Sequence, residues 1–329
     1  MRYNPALDGL RAVAIVAVVA FHCRVPFMTG GYFGVDLFFV LSGYLITSLL
    51  AHDRDRHGTI DLQRFYWNRL VRLMPVLVAV VLAVYALGLT TPGKAAIALF
   101  YLTDIFAPFD HEFGILSHTW SLSVEEHFYL LWPLALPVLL RAKNPALWAL
   151  GLFVGATIWR VTWFPVLPYE ETYYRFDARL SGLLLGSALA LTKINLEAAE
   201  LARIGKFSAC ALVFAAVSIP IFTATSLLVA QPLVEIAAAG LLVAALNEST
   251  KLHAILARPV LVQLGRWSYG IYLWHYPVAF VLREHLWWLQ TLLLTSAISV
   301  ALAALTYRAI EIPFRRFRLE RVLRPATGS

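Results

Sequence analysis

The stretch LDGLRAVAIVAVVAFH, residues Leu7–His22, is almost wholly apolar, yet it holds Asp8 and Arg11 near its start and ends in a histidine. Nine further apolar runs of similar length follow along the chain, separated by short polar segments. A helix that spans a membrane needs about 20 predominantly apolar residues, so these runs predict transmembrane helices. The ten runs are Leu7–His22, Tyr32–Leu50, Val71–Leu89, Trp120–Leu140, Pro145–Phe164, Tyr173–Leu191, Phe207–Thr225, Leu227–Leu246, Trp267–Leu282 and Trp287–Ile310.

The composition is typical of a protein that spans a lipid bilayer. Of the 329 residues, 60% are hydrophobic and only 14% are charged, against about 25% charged in soluble domains. We predict an all-α, polytopic membrane bundle of about ten transmembrane helices. We expect one transmembrane domain over residues 1–315, followed by a basic cytoplasmic tail at 316–329, and no soluble module.

The distribution of positive charge predicts the orientation. With the N-terminus in the cytoplasm, 21 of the 27 Lys and Arg residues fall on the cytoplasmic side and six on the other. Cytoplasmic loops of membrane proteins carry this excess, so both termini are predicted to be cytoplasmic. The same rule explains the net charge of +7, and no nucleic-acid partner is expected. A twelve-residue apolar segment, Ala95–Phe106, is too short to span and is predicted to be re-entrant or interfacial.

Charged and titratable side chains inside the apolar runs are the candidate functional residues. A charge at the bilayer centre costs roughly 2.5–3.5 kcal/mol or more, so such residues face a cavity or a partner. Arg11 and His22 are 11 residues apart, which places them about 20° apart around the helix and about 16 Å apart along it. A donor with an anionic head and a reactive tail fits that stripe, with His22 as general base. The alternative is that His22 makes one structural hydrogen bond at the interface.

Acidic residues add to this pattern in two other runs. Asp36 lies near the outer end of the second run, at the predicted level of His22, where it could fix the tautomer of the imidazole; the alternative is a helix N-cap. Ser42 lies deeper in that run. Glu125 and Glu126 are adjacent just inside the fourth run, which is hard to explain as structure, so one is expected to serve a reaction while the other pairs with a basic residue.

The remaining candidates are basic or lie beside the groups already named. Arg69 and Arg72 lie on one face at the cytoplasmic start of the third run, where they could bind phosphate, or could satisfy only the positive-inside rule. His118 and Trp120 open the fourth run, and His275 lies in the ninth. Asp177 and Arg179 are predicted to form a local ion pair. The sequence has no Cys pairs and no His-x-x-x-His, so no metal site is expected.

Taken in order, these motifs resemble the acyltransferase-3 family of integral membrane O-acyltransferases over nearly the whole chain. Members acetylate bacterial surface polysaccharides, nodulation factors and peptidoglycan. The matching motifs are Leu7–Ala12 with His22, Gly31–Gly43, Phe65–Pro75 with Arg69 and Arg72, Trp120–Glu126, Ser268–His275 and Glu311–Pro313. Two positions depart from the family pattern: His127 stands where members usually have Gln, and Asn68 stands where they usually have another Arg.

The resemblance implies a multi-pass enzyme of a bacterial cell (inner) membrane that moves an acyl group from cytoplasmic acyl-CoA to an extracytoplasmic hydroxyl. The acceptor would be a carbohydrate, such as a surface polysaccharide or a glycolipid. Acetyl-CoA is the expected co-substrate, and no metal cofactor is implied. His22, Asp36 and Glu125 are then the expected catalytic residues, and Arg11, Arg69 and Arg72 the expected CoA-binding residues.

Several alternatives stay open at this point. A transporter or flippase of a glycan or acyl intermediate would also carry charges within the membrane, although no inverted repeat is evident. His22 could act as a base in direct transfer or as a nucleophile that forms an acyl-histidine. Some relatives carry a further helix and an esterase-like domain, which this sequence is expected to lack. Membrane lipid is an expected neighbour, and homo-oligomerisation is open.

Overall fold

The computed structural model of this protein describes residues 3–110 and 113–314. These residues form helices and no strands, which confirms the all-α prediction. The predicted basic tail at 316–329 lies outside the described residues. The α-helices are α1 Pro5–His22, α2 Gly34–His57, α3 Leu62–Ala86, α4 Pro92–Leu99, α5 Thr103–Phe106, α6 Trp120–Leu139, α7 Pro145–Trp163, α8 Tyr169–Tyr174, α9 Phe176–Ala190, α10 Ala198–Ser218, α11 Gln231–Leu246, α12 Lys251–Leu256, α13 Pro259–Leu282 and α14 Trp288–Thr306.

Seven of these helices are long and apolar enough to cross a membrane, some together with a short helical extension. They coincide with seven of the ten predicted runs. The other three runs coincide with α6, α9 and α13. α9 has only 15 residues. α6 carries Glu125 and Glu126, α13 carries His275, and both helices hold many aromatic residues, all of which lower their mean hydropathy. The protein is therefore a multi-pass membrane protein, and the number of ten spans remains a prediction.

The three more polar helices each pack against several neighbouring helices. α9 packs on α2, α7 and α11, while α13 packs on α1, α3 and α14. α6 packs on α2 and α9. The sequence-derived candidates on these helices therefore face neighbouring helices, as intramembrane polar residues usually do.

The segment predicted to be re-entrant or interfacial, Ala95–Phe106, does not form one continuous helix. α4 ends at Leu99 and α5 begins at Thr103, with Tyr101 between them in a left-handed conformation at φ 55°. Tyr101 also lines the cavity described below. Irregular backbone is tolerated at membrane depth where it is buried in protein or lines a cavity, and this broken segment lines a cavity.

Glycines allow α2 and α9 to approach backbone to backbone. A Cβ atom added to Gly43 would overlap the carbonyl oxygen of Leu183, and one added to Gly186 would overlap the carbonyl oxygen of Val40. Small residues at such crossings are typical of helix packing within membranes. This close contact holds the middle of α9 against the first half of α2.

We expect Gly186→Ala to lower the free energy of unfolding by about 1–3 kcal/mol, because the added methyl forces the two helices apart. This loss should outweigh the better helix propensity of Ala. Thermal unfolding in detergent measures it. Gly151→Ala is the matched control, since nothing lies within 4 Å of a Cβ added there. Equal stability of the two variants would contradict the close packing of α2 on α9.

Candidate active site

A cavity with about 730 Å³ of empty space, part of it open to solvent, lies between α1, α2, α3, α6 and α13. It brings together six of the residues singled out in the sequence, and those six come from four different helices. They are Arg11, Ser42, Arg69, Arg72, Glu125 and Glu126. Both glutamates line the cavity even though they point about 100° apart around α6.

One glutamate is held by a hydroxyl from the neighbouring helix. The Oγ of Ser42 donates a hydrogen bond to Oε1 of Glu125. The guanidinium of Arg69 lies over the ring of Tyr129, 4.3 Å from its centroid, and Tyr129 is one helical turn beyond Glu125. The guanidinium of Arg69 and the carboxylate of Glu125 therefore both lie along the face of α6 that lines the cavity.

The end of the bundle at which α1, α3 and α13 begin is here called the basic end. Several arginines lie at this end, around the opening of the cavity. Arg11 and Arg72 line both the cavity and an adjoining open basin, to which Arg266 also contributes. The Nη1 of Arg11 lies 3.1 Å from Oδ1 of Asp8, and Tyr3 donates to the other oxygen of that carboxylate at 2.7 Å. The basin therefore adjoins the cavity along a wall that holds the guanidinium groups of Arg11 and Arg72.

At its opposite end the cavity is bounded by a tyrosine of α13. The hydroxyl of Tyr272 lies 2.5 Å from Oγ of Ser121 and donates to the carbonyl oxygen of His118 at 2.9 Å. All three residues are buried. This side of the bundle, where α1 and α13 end, is here called the far end.

Just beyond Tyr272, three histidines from three separate segments come together. Nδ1 of His22 lies 2.9 Å from Nε2 of His275. Nδ1 of His275 lies 2.7 Å from the carbonyl oxygen of Tyr272. His118 is 5.9 Å from His275 between ring centroids and stacks on Tyr276. The sequence had identified each histidine but not their proximity.

Asp36 belongs to a different, fully buried network. Its Oδ1 lies 3.0 Å from Nη2 of Arg179, and Nη1 of Arg179 donates to Oε1 of Gln231 at 2.6 Å. Gln231 in turn donates to Oε1 of Glu235 at 3.1 Å. The expected contact between Asp36 and His22 is replaced by this pairing, and the hydrogen-bond partner of His22 is His275.

The prediction that Asp177 pairs with Arg179 is wrong. Asp177 pairs with Arg175 at 2.8 Å, and both side chains are more than a third exposed. Arg179 points into the bundle, with its guanidinium 4.9 Å from the ring centroid of Tyr173 and 5.3 Å from that of Trp120. Trp120 therefore packs against the buried network and does not line the cavity.

Two charged members of that network escaped the sequence reasoning. Arg160 in α7 and Glu235 in α11 are fully buried, with Nη1 of Arg160 3.7 Å from Oε1 of Glu235. Ser181 lies between them and bonds both, at 2.8 Å and 2.6 Å. The signal was a single charge within an apolar run. Arg160 is one of the six basic residues counted on the outer side, and Glu235 lies within the eighth run.

Within the described ranges, 3–110 and 113–314, no group of three or more His, Cys, Asp or Glu residues is arranged to hold a metal ion.

Comparison with known proteins supports an acyl-transfer chemistry for this family. Residues 4–308 match the family described as "Acyltransferase domain". The chain is 32% identical over 355 residues to peptidoglycan O-acetyltransferase OatA of Listeria monocytogenes, covering 96% of this chain and 56% of that protein. It is 34% identical to the putative peptidoglycan O-acetyltransferase YrhL of Bacillus subtilis, covering 95% and 55%. It is 31% identical to a putative O-acetyltransferase of Staphylococcus aureus, covering 96% and 58%.

The chain spans a little over half the length of these curated relatives. No solved structure matches it. The family match covers nearly all of the chain, including α1, the arginine motif of α3, the glutamates of α6 and the histidine of α13. The chain therefore belongs to the acyltransferase-3 family of membrane proteins, as its motifs indicated.

Proposed function

We propose that this chain is the membrane-embedded part of an O-acetyltransferase, which moves an acetyl group from a donor at the basic end to a carbohydrate hydroxyl at the far end. One observation carries the proposal: a single cavity joins arginines at the basic end to paired glutamates in its middle, with two hydrogen-bonded histidines just beyond it. The two relatives named as peptidoglycan O-acetyltransferases support peptidoglycan, which contains carbohydrate, as the acceptor. A surface polysaccharide or a glycolipid has the same reacting group.

The donor we propose is acyl-CoA, and acetyl-CoA in particular. Guanidinium groups bind phosphate through two parallel hydrogen bonds, which suits a head with several phosphates. Arg11 and Arg72 line both the open basin and the cavity. A donor held there by its phosphates could extend a narrow arm along the cavity towards the histidines, which is the stripe expected from the spacing of Arg11 and His22.

His22 is the proposed base. In direct transfer it takes the proton of the acceptor hydroxyl while the oxygen attacks the thioester carbonyl, and the proton then goes to the departing thiolate. In a two-step route, His22 itself attacks the carbonyl, and an acyl-histidine passes the group to the acceptor. Glu125, held by Ser42, lines the path between the arginines and Tyr272 and is proposed to orient the donor there.

Because Lys and Arg residues are in excess at the basic end, we propose that this end and both termini are cytoplasmic. The protein would then lie in the cell membrane of a bacterium, like the relatives, and deliver the acetyl group to the cell-envelope side. Accessibility labelling of a cysteine introduced at Arg56, compared with one introduced at Arg24, tests this orientation.

The function is tested with the purified chain in lipid nanodiscs, acetyl-CoA labelled in the acetyl group, and soluble peptidoglycan fragments. Labelled glycan together with released CoA supports the proposal. Release of CoA with label retained on the protein supports the two-step route. A chain that binds glycan but neither binds nor cleaves acetyl-CoA would overturn the proposal and favour the transporter alternative.

We expect Arg72→Gln to weaken CoA binding roughly 10- to 100-fold, because one charge-assisted hydrogen bond contributes about 1.5–3 kcal/mol. The dissociation constant is measured by calorimetry or by displacement of labelled CoA from nanodiscs. Arg56→Gln is the matched control, since Arg56 is an exposed cation near the end of α2 and outside the cavity. Equal losses in both variants would assign the effect to general surface charge.

A further inference from the structure

The hydrogen bonds between the histidines at the far end have a direction that the geometry determines. Nδ1 of His275 lies 2.7 Å from the carbonyl oxygen of Tyr272 and 3.1 Å from that of Ile271. A carbonyl oxygen can only accept a hydrogen bond, so Nδ1 of His275 carries the hydrogen. A neutral imidazole has one N–H, which leaves the lone pair on Nε2 of His275.

His22 must therefore be the donor in its contact with His275. Its Nδ1 lies 2.9 Å from Nε2 of His275, and that nitrogen now has only a lone pair to offer. Nδ1 of His22 carries its hydrogen, and Nε2 of His22 carries its lone pair. Among the described residues, none hydrogen-bonds Nε2 of His22, and the side chain is only partly buried. Nε2 of His22 is therefore the ring nitrogen that can take a proton, and it has no hydrogen-bond partner among the described residues.

We propose that His275 is a positioning residue that holds His22 as the Nδ1–H tautomer, so that Nε2 of His22 is the atom that receives the acceptor proton. This inference rests on the proposed function. His275 would then do for His22 what a carboxylate does for the histidine of a hydrolase triad, but through a neutral nitrogen. The backbone of α13 fixes its ring, because both carbonyl acceptors belong to the preceding turn of the same helix.

The proposed step balances in atoms and charge. The O–H bond of the acceptor breaks and an N–H bond forms at Nε2 of His22, while the new C–O bond forms at the donor carbonyl. The C–S bond then breaks, and the thiolate takes the proton from Nε2. While His22 holds both hydrogens it is an imidazolium, and its hydrogen bond to His275 becomes charge-assisted and therefore stronger. The contact thus stabilises the charged intermediate more than the resting state.

His118 is the third member of the cluster but not part of this chain of hydrogen bonds. Neither of its ring nitrogens has a hydrogen-bond partner among the described residues, although the side chain is buried. Its ring stacks on Tyr276 and lies edge-on to His275, and its backbone carbonyl accepts a hydrogen bond from Tyr272. His275 is therefore the histidine that reaches His22 by hydrogen bond.

Two amide variants distinguish a role of His275 in orienting His22 from a role only in stabilising the fold. In His275→Gln the side-chain oxygen can reach the place of Nε2 and accept from His22. In His275→Asn the shorter amide can still donate to the carbonyl of Tyr272 but cannot reach His22. The two variants match in polarity and in ability to hydrogen-bond, so a purely structural role would treat them alike.

The test is solid-state ¹⁵N NMR of the full chain in lipid, labelled at histidine, with the His22 signals assigned from a His22→Gln sample. The expected result is a protonated Nδ1 and a bare Nε2 on His22 in the wild type and in His275→Gln. His275→Asn should show a mixture of tautomers. In the transfer assay, kcat should fall at least about tenfold in His275→Asn and less in His275→Gln, with KM for the donor unchanged.

A hydrogen on Nε2 of His22 in the wild type, or an unchanged tautomer in His275→Asn, would overturn the inference. The NMR result is independent of turnover. If the wild type shows the expected tautomer but transfers no acetyl group, then the proposed function fails while the hydrogen-bond chain stands.

Discussion

His22→Ala is expected to lower the rate of acetyl transfer about 10²- to 10⁴-fold, which is the range that a positioned general base contributes. Removal of the imidazole takes away Nε2 of His22, the proposed proton acceptor, and leaves the arginines of the basic end untouched. The dissociation constant for CoA should therefore stay within about twofold of the wild-type value. Single-turnover transfer from labelled acetyl-CoA, with CoA binding measured on the same samples, checks both parts.

His285→Ala is the matched control for that experiment. His285 is an exposed histidine at the same end of the bundle, so its loss should leave transfer unchanged. If label accumulates on the wild-type protein and disappears in His22→Ala, then the acyl-histidine route is favoured over direct transfer. Full transfer activity in folded His22→Ala would exclude both routes.

The second large effect concerns stability. Arg179→Met is expected to reduce the free energy of unfolding by about 3–5 kcal/mol, because it leaves the carboxylate of Asp36 buried without its cation. Both side chains are almost fully buried, at 1% and 0% exposure. Thermal unfolding in detergent and the yield of monodisperse protein report the loss.

Arg175→Met provides the comparison four residues earlier in the chain. Arg175 and Asp177 form an ion pair whose side chains are 40% and 36% exposed, and exposed pairs contribute about 0–1 kcal/mol. A double variant, Arg179→Met with Asp36→Leu, should recover part of the stability, because no uncompensated charge remains. Equal losses in Arg175→Met and Arg179→Met would contradict the assignment of Arg179 to the buried network.

The positions of the long helices could be predicted from apolar runs, whereas their ends could not. α3 begins at Leu62, nine residues before the apolar run that predicted it, because Asp61 caps its first turn by accepting from the backbone N–H of Arg64. α10 begins at Ala198, nine residues before its run, with a capping box between Glu197 and Glu200. An apolar run marks the part of a helix suited to lipid, while helices continue into the polar region as far as a cap allows.

The residues of the candidate site were also predictable by type, but their partners were not. Periodicity along one helix gave the stripe that joins Arg11 to His22, and it predicted that paired glutamates face the interior. It carries no information on how two helices are rotated against each other. His22 meets His275 across 253 positions of sequence, and Asp36 meets Arg179 across 143. Depth alone suggested that Asp36 faces His22, and the packing of α9 on α2 decides otherwise.

The three helices that fall short of the apolar spans have a consequence for how the chain enters a membrane. α6, α9 and α13 are each followed in the chain by a helix, α7, α10 or α14, that is apolar enough to insert by itself. Helices that are shorter or less apolar than a spanning helix needs are less suited to insert alone. Each of the three would then be retained during biosynthesis only once its successor has left the ribosome. The polar interior would assemble as three delayed helix pairs, and a ribosome arrested before the second helix of a pair should leave the first one outside the bilayer.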